Sequence, residues 1–358
     1  MPMELRKLQV TGGSTHVVSL PKKWVDRNRL GRSDTVAIHE EPDGSLLLIP
    51  HSEARTPTRT LTVQLPDLPK GEDVVRRLVG AYLAGADEIL VKASGNRMDP
   101  KIRQQIRDVT RDLVGVEILE ESGSSMTLQD LVGVSDMDLR KTLTRMQRIA
   151  RIMYDDALTA LRERDAKLAQ EVAARDDELD RLLWMVSKQM HALLEQPRLA
   201  AKLNVPPAEA LNFFLVARAL ERMGDHATKI ATNVGSLGDQ KVPDAVVKGL
   251  LDHADTVRKV WDEAFSSLKK VDFDLACQTA DHGQGAAKWR ASFPNLLRNL
   301  PHEVVGPLTL VADSIDRVRG YAVDVAEVAM NHTFQQQLEG GSPTGASGRR
   351  GGAASGGG

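Results

Sequence analysis

The chain has 358 residues, 41% apolar and 27% charged, with a formal net charge of -2, which is an ordinary globular balance, long enough for two or three domains and without chain-wide attraction to nucleic acid. The single cysteine, Cys277, excludes an intrachain disulfide framework and any cysteine-based zinc cluster, and fits a reducing, cytoplasmic setting. No apolar run approaches the roughly 20 residues of a membrane span, and the start of the chain lacks the apolar centre of a signal peptide, so no membrane insertion is expected.

Residues 8–10, 16–20, 35–39 and 45–49 are β-suited runs, punctuated by Gly12-Gly13, Pro21, Gly31 and Pro42-Asp43-Gly44. Asp43-Gly44 predicts a hairpin turn. Pro21 opens one short helix ending near Leu30. These elements bury too little surface to stand alone, so the segment is expected to form a homodimer. Lys22, Lys23, Arg27, Arg29 and Arg32 lie close together with only Asp26 between them, and Arg6 and Lys7 fall on the adjoining strand. Doubled by dimerisation, these seven residues suit phosphate contacts with DNA; the plainer reading is a solvated charged face. Residues 1–55 resemble the AbrB/SpoVT swapped-hairpin DNA-binding domain in Gly13-Ser14-Thr15, in Val17-Val18-Ser19-Leu20-Pro21-Lys22-Lys23-Trp24, and in Leu30 with Asp34-Thr35-Val36. The resemblance implies that two chains interleave their hairpins into one barrel lying on DNA. One departure is Ser33-Asp34, where that family usually has Gly-Asp.

Residues 56–134 change pattern. Strands are expected over 60–65, 88–93, 116–120 and 125–131, and helices over 72–84 and 99–113, the second with Pro100 in its first turn. A β-α-β-α-β-β order argues for a small α/β layer. It carries no Gly-rich phosphate loop and no ligand-spaced cluster, so a spacer or dimerisation module is the default.

From Ser135 to about Gln337 the periodicity is helical, in six segments. They cover 136–163, 166–195, 207–235, 243–268, 272 into the 280s, and the stretch after Pro301. An internal repeat groups them in threes, 135–238 and 239–339: Leu161-Arg162-Glu163-Arg164-Asp165 parallels Leu268-Lys269-Lys270-Val271-Asp272, and Glu221 to Asp225 parallels Asp316 to Gly320. The fold class is therefore multidomain α+β, with a small N-terminal β domain, an α/β middle layer and a C-terminal all-α pair of three-helix bundles. Residues 340–358 are Gly-, Ser- and Ala-rich and expected to be disordered.

Glu221 and Asp225 are four residues apart, hence stacked on one helix face, as are Asp176 and Asp180 one helix earlier. Asp176 falls on an apolar stripe between Val172 and Leu179, where a lone carboxylate is costly. Two acidic pairs on neighbouring helices suit a carboxylate-held metal ion; the alternative is ordinary ion pairing of Asp177 with Arg181, Asp225 with Lys229 and Glu221 with Arg218. The run Glu221-Arg222-Met223-Gly224-Asp225-His226-Ala227 resembles the E-R-x-x-D-H-A signature of the phosphate-uptake regulator (PhoU) family, whose fold is two tandem three-helix bundles. The resemblance implies that Asp176, Asp180, Glu221 and Asp225 hold a small metal cluster, often iron. All-oxygen ligation equally suits Mg²⁺, Mn²⁺ or Ca²⁺, so the divalent or trivalent ion is left open. His226 points about 100° away on an ideal helix and stays outside the set. In the second repeat, Gly285 stands four residues after Asp281 and Gly320 four after Asp316, so each acidic pair has lost a member; the glycines would allow close helix approach or loosen the helices.

No catalytic constellation emerges, and the chain reads as a regulator, not an enzyme. The resemblance implies control of phosphate uptake, through DNA, through a phosphate transporter or sensor kinase, or through both. Other readings are a metal-binding bundle of metal homeostasis or oxidative activity, and a pure interaction adaptor without DNA binding.

Overall fold

The computed structural model describes residues 4–40, 44–50, 58–67, 69–196, 199–203 and 205–340. The tail expected to be disordered, from residue 341 on, and Asp43 of the expected hairpin turn lie outside them. The chain divides into two compact units, Met1–Thr58 and Arg59–Gly358.

In the first unit, β1 (Gln9–Thr11) pairs antiparallel with β2 (Thr15–Val17), Gln9 opposite Val17. The turn between them places Gly12 at φ 65 and Gly13 at φ 91, left-handed conformations that glycine adopts without a Cβ clash. Helix α1 (Lys22–Arg27) starts directly after Pro21. Strands β3 (Val36–Glu40) and β4 (Leu46–Pro50) form a second antiparallel hairpin. At the departure from the Gly-Asp turn, Ser33 is held at φ 79, while Asp34 Oδ2 accepts the Gly31 amide at 2.7 Å. No described residue of this unit is buried; Leu8, Val10, Val17, Val18, Ile38 and Leu46 are all exposed. In one copy, the described residues of this segment form hairpins but no core.

The second unit starts with a four-stranded sheet: β5 (Thr60–Gln64), β6 (Glu88–Lys92), β7 (Val116–Glu121) and β8 (Ser125–Asp130), in the order β5-β6-β8-β7. The β5–β6 pair, joined through α2 (Gly71–Leu83), is parallel; the others are antiparallel. Helix α3 (Pro100–Asp112) is capped by Asp99, whose carboxylate accepts the Lys101 amide. Val63, Val74, Leu78, Ile106, Met126 and Leu128 form this layer's own core. Every element boundary here lies within one residue of the sequence expectation.

The remainder is helical: α4 (Leu139–Glu163), α5 (Ala166–Ala174), α6 (Asp176–Glu195), α7 (Leu199–Leu203), α8 (Pro207–Ser236), α9 (Asp244–Lys270), α10 (Phe273–Ala287), α11 (Trp289–Ser292), a 3₁₀ turn (Phe293–Leu297) and α12 (His302–Gly340). The single helix expected over 166–195 is instead broken at Arg175. The run Asp176-Asp177-Glu178 explains the break: acids belong in a first helical turn, where they meet the positive end of the helix dipole. Arg175 itself is tied to Asp156 and Glu171.

The internal repeat is visible in the backbone. Helix α4 ends at Arg164, φ 56, and Asp165 then caps α5; α9 ends at Val271, φ 54, and Asp272 then caps α10. The first repeat is α4, α5–α6 and α8; the second is α9, α10 and α12. Their third helices, α8 and α12, pack on each other, so one continuous core serves both. Tyr154 of α4 and Trp261 of α9 join it with ring centroids 5.9 Å apart.

Helix α6 is gripped from two sides. One side meets α8; the other meets the α/β layer, where the buried Lys188 pairs with Asp130 and lies 4.5 Å over the Tyr82 ring. Gln189 Nε2 donates to the Val134 and Met137 carbonyls at 2.9 and 2.7 Å. No helix among the described residues is long and apolar enough to cross a membrane.

Candidate functional site

Helices α6 and α8 approach closely at Gly224. A Cβ there would stand 2.3 Å from Leu179 Cδ1 and 3.7 Å from Asp176 Oδ1. The absent side chain lets the two acidic faces meet: Asp176 and Asp180 on α6, Glu221 and Asp225 on α8. All four are partly buried. Burial first, and then the Asp225 charge, raises the Asp176 carboxyl. Burial, Asp176 and Asp225 push Asp180 up to about 6. Burial and Asp225 push Glu221 up to about 7, against the pull of Arg222. These carboxylates repel one another, and desolvation removes the water that would screen them.

None of the expected ion pairs of Asp177, Asp225 and Glu221 forms among the described residues. Arg222 takes their place, with Nε 3.5 Å from Glu221 and Nη1 3.3 Å from Asp225. One guanidinium, itself nearly half exposed, serves two carboxylates. As placed, no group of three or more His, Cys, Asp or Glu side chains among the described residues stands close enough to hold one ion. The donor chemistry nonetheless fits a hard cation: half-buried oxygens in excess of positive charge, on helices fixed by their packing. His226, the next residue, turns toward α12, its ring 5.8 Å from that of Tyr321. Burial, and then Lys229, lowers its pKa to about 4, leaving the imidazole neutral at neutral pH.

The corresponding place in the second repeat is already neutralised. Arg319 holds Asp316 with a two-pronged grip, Nε to Oδ1 at 2.7 Å and Nη2 to Oδ2 at 3.1 Å, and Nη1 donates to the Gly283 carbonyl. His253 Nε2 lies 3.8 Å from the same carboxylate. Burial alone would raise Asp316; His253 and Arg319 outweigh it and hold the carboxyl well below the usual range. Asp281 and Asp324 are exposed. Nothing lies within 4 Å of a Cβ built on Gly285 or Gly320, so neither permits close packing. That role belongs to Gly283, where a Cβ would meet Val323 Cγ2 at 2.2 Å. Arg319 was legible as the i+3 partner of Asp316; His253, on another helix, was not.

The seven basic residues of the first unit are all exposed. Lys22, Lys23 and Arg27 share α1; Arg29, at φ 54, and Arg32 lie in the turn that follows; Lys7 precedes β1, and Arg6 is held by Glu4 at 2.5 Å. Trp24 is half-buried, while His16 and His39 are exposed.

Fold and site together define a multidomain protein in which tandem three-helix repeats present one open and one neutralised acidic site. Comparison with known proteins gives the class its name. Residues 143–234 match the PhoU domain, a span that coincides with the first repeat, and residues 9–56 match the bacterial antitoxin MazE, described as antidote-toxin recognition. The chain thus carries a PhoU domain behind a MazE/AbrB-like N-terminal domain. A curated relative from Pseudomonas putida, "Phosphate-specific transport system accessory protein PhoU homolog", is 23% identical over 206 residues, 54% of this chain and 77% of its own length. A protein of the same description from Deinococcus radiodurans is 31% identical over 99 residues, 27% of this chain and 43% of its own. Among solved structures, PhoU from Pseudomonas aeruginosa superposes with a TM-score of 0.47 at 21% identity, over 56% of this chain and 96% of its own.

Proposed function

We propose that this protein is an accessory regulator of phosphate transport in which the α6–α8 carboxylates hold a metal ion and the N-terminal unit binds DNA as a homodimer. The observation that carries the reading is the repelling set Asp176, Asp180, Glu221 and Asp225, inside the span that matches the PhoU domain. A divalent or trivalent cation, with iron, Mn and Mg as candidates, would supply the positive charge that Arg222 alone does not. The helices that carry the four acids are held close together: α6 is clamped by Lys188 and Gln189, and Gly224 lets α8 close on it. Phosphate-specific transport is taken from the description of the relatives, and with it a transporter as the protein partner; a sensor kinase is the other partner that the family resemblance implies.

The N-terminal half of the proposal is supported by the coreless hairpins. Leu8, Val10, Ile38 and Leu46 need a second copy to cover them, and pairing doubles the basic α1. The test uses the full chain after chelation and metal re-addition, with DNA from upstream of phosphate-transport genes. A metal-dependent shift whose affinity falls steeply with salt, and which the Lys22→Ala/Lys23→Ala/Arg27→Ala variant loses, is expected. Wild-type affinity and salt slope in that variant would remove α1 from the contact face. A monomer by sedimentation would remove the swapped dimer. Stoichiometric redox-active iron with no operator shift and no phosphate-system partner would favour metal homeostasis instead.

A further inference from the structure

Helices α8 and α12 pack along most of their length, yet a groove of about 520 Å³ opens between them. Its walls are two helical stripes: Arg222, His226, Lys229 and Asn233 on α8, and Leu310, Asp313, Ser314, Arg317 and Tyr321 on α12. Spacings of four, three and four put the α8 residues on one face, and likewise Leu310, Ser314, Arg317 and Tyr321 on α12 with Asp313 beside them, so both helices direct a row of side chains at the same space.

The charges in this groove do not balance. It is lined by three cationic side chains and one acidic one, in a chain whose formal net charge is -2. The acid, Asp313, is taken by Arg290 at 2.8 Å. Arg222 leans toward Glu221 and Asp225. Lys229 and Arg317 face each other across the groove with no ion pair among the described residues. His226, 9% exposed, lines the same groove, and its buried Nδ1 has no hydrogen-bond partner among the described residues. A buried polar atom left unpaired is destabilising, and two like charges sharing a cleft repel one another. An anion in the groove would offset the repulsion of Lys229 and Arg317.

The surrounding groups narrow the kind of anion. A lysine ammonium, a guanidinium fork, an imidazole, the Asn233 carboxamide and the hydroxyls of Ser314 and Tyr321 converge from two walls. A carboxylate offers two oxygens, too few for this set; a tetrahedral oxyanion offers three or four, and arginine and lysine are its usual partners. We propose that the α8–α12 groove binds a tetrahedral oxyanion of the phosphate class, either the free inorganic ion or the phosphoryl group of a small monoester. The site is separate from the α6–α8 carboxylates, and its argument does not rest on a metal there or on the phosphate-transport reading.

The test is calorimetric titration of the full, chelator-treated chain with inorganic phosphate, with phosphoserine and with acetate at matched ionic strength. Saturable binding of one or both phosphates is expected, with acetate silent. Tighter binding of the inorganic ion identifies the free ion as ligand; tighter binding of phosphoserine identifies the ester. Lys229→Gln and Arg317→Gln should each weaken the preferred ligand at least tenfold, and Arg317→Lys should recover part of the loss, because a point charge replaces the fork. Melting profiles without ligand check that the variants fold; if Lys229→Gln does not, the Arg317 pair decides alone. No saturable binding up to about 10 mM, where the free energy falls below that of a millimolar complex, overturns the proposal. So does acetate binding equal to phosphate, or unchanged affinity in both charge-removing variants. None of these outcomes touches the α6–α8 carboxylates, which the operator and metal experiments test separately.

Discussion

The two three-helix repeats turn their chains in the same way and treat acid in opposite ways. Both leave their first helix through a left-handed residue, Arg164 or Val271, and start the next on an aspartate cap, Asp165 or Asp272. At the acidic site they part. The first repeat keeps four carboxylates against a single half-exposed Arg222; the second keeps Asp316 and supplies Arg319 and His253 from the chain itself. A site short of positive charge can respond to its surroundings, whereas a site neutralised from within holds its helices together without an added ion. The repeat thus sets a site short of positive charge beside one that is neutralised from within.

The largest test of this division is metal dependence. A cation bound only by the folded state stabilises it by about 2.7 kcal/mol at a hundredfold excess over its dissociation constant. Chelation should lower the melting temperature of the wild type, Asp225→Asn should abolish most of that sensitivity, and Asp316→Asn should leave it in place. Equal effects from the two substitutions would make the repeats equivalent and end the comparison.

Next in size is removal of the internal counter-ion. Arg319→Ala leaves Asp316 half-buried with its main partner gone, at a cost of about 1.5–3 kcal/mol for hydrogen bonds to a charged group. Arg222→Ala, at a half-exposed guanidinium screened by solvent, should cost under about 1 kcal/mol. Denaturant melts of the two variants give the ratio; a larger loss for Arg222→Ala would reverse the assignment of roles.

The pH dependence should have opposite signs in the two repeats. Asp180 and Glu221, held at about 6 and about 7, bind protons more tightly folded than unfolded. Chelated protein should therefore lose stability as pH rises from the ordinary carboxylate range through 6 to 7, and Asp180→Asn/Glu221→Gln should flatten that limb. Asp316, held low, stabilises above the ordinary carboxylate pKa and loses that contribution as pH falls, so Asp316→Asn should flatten the acid limb instead. Melting temperature against pH for the three proteins checks both limbs.

The smallest effects come from the glycines. Gly283→Ala forces a Cβ onto the stiff Val323 and should destabilise; Gly320→Ala fills open space and should stabilise by up to about 1 kcal/mol through helix propensity. Destabilisation by Gly320→Ala would mean that a neighbour covers it in the assembled protein.

Much of this was written along the chain. The α/β layer was legible to within one residue because its strands and helices change hydrophobic period cleanly, and the repeat was legible in the pair ending at Asp165 and Asp272. The four carboxylates could be named because a spacing of four fixes a helix face. The break at Arg175 was missed although Asp176-Asp177-Glu178 announced a helix start, because the apolar stripe runs through it from Val172 to Leu179. The role of the glycines was left open between close approach and loosening for a related reason: any glycine can sit at a close approach, and only the neighbouring helix shows that Gly224 and Gly283 do so while Gly285 and Gly320 do not.

By itself, then, the sequence determined what repeats locally: element type, helix face, turn and cap, all set by residues within a few positions of one another. Tertiary structure alone decided which charges meet. His253 reaches Asp316 from a different helix, Lys188 finds Asp130 in a different layer, and Lys229 faces Arg317 across a groove between the two repeats. Charge balance is a property of space rather than of spacing, because Coulomb interactions and desolvation depend on distance and burial and are indifferent to how many residues lie between the partners.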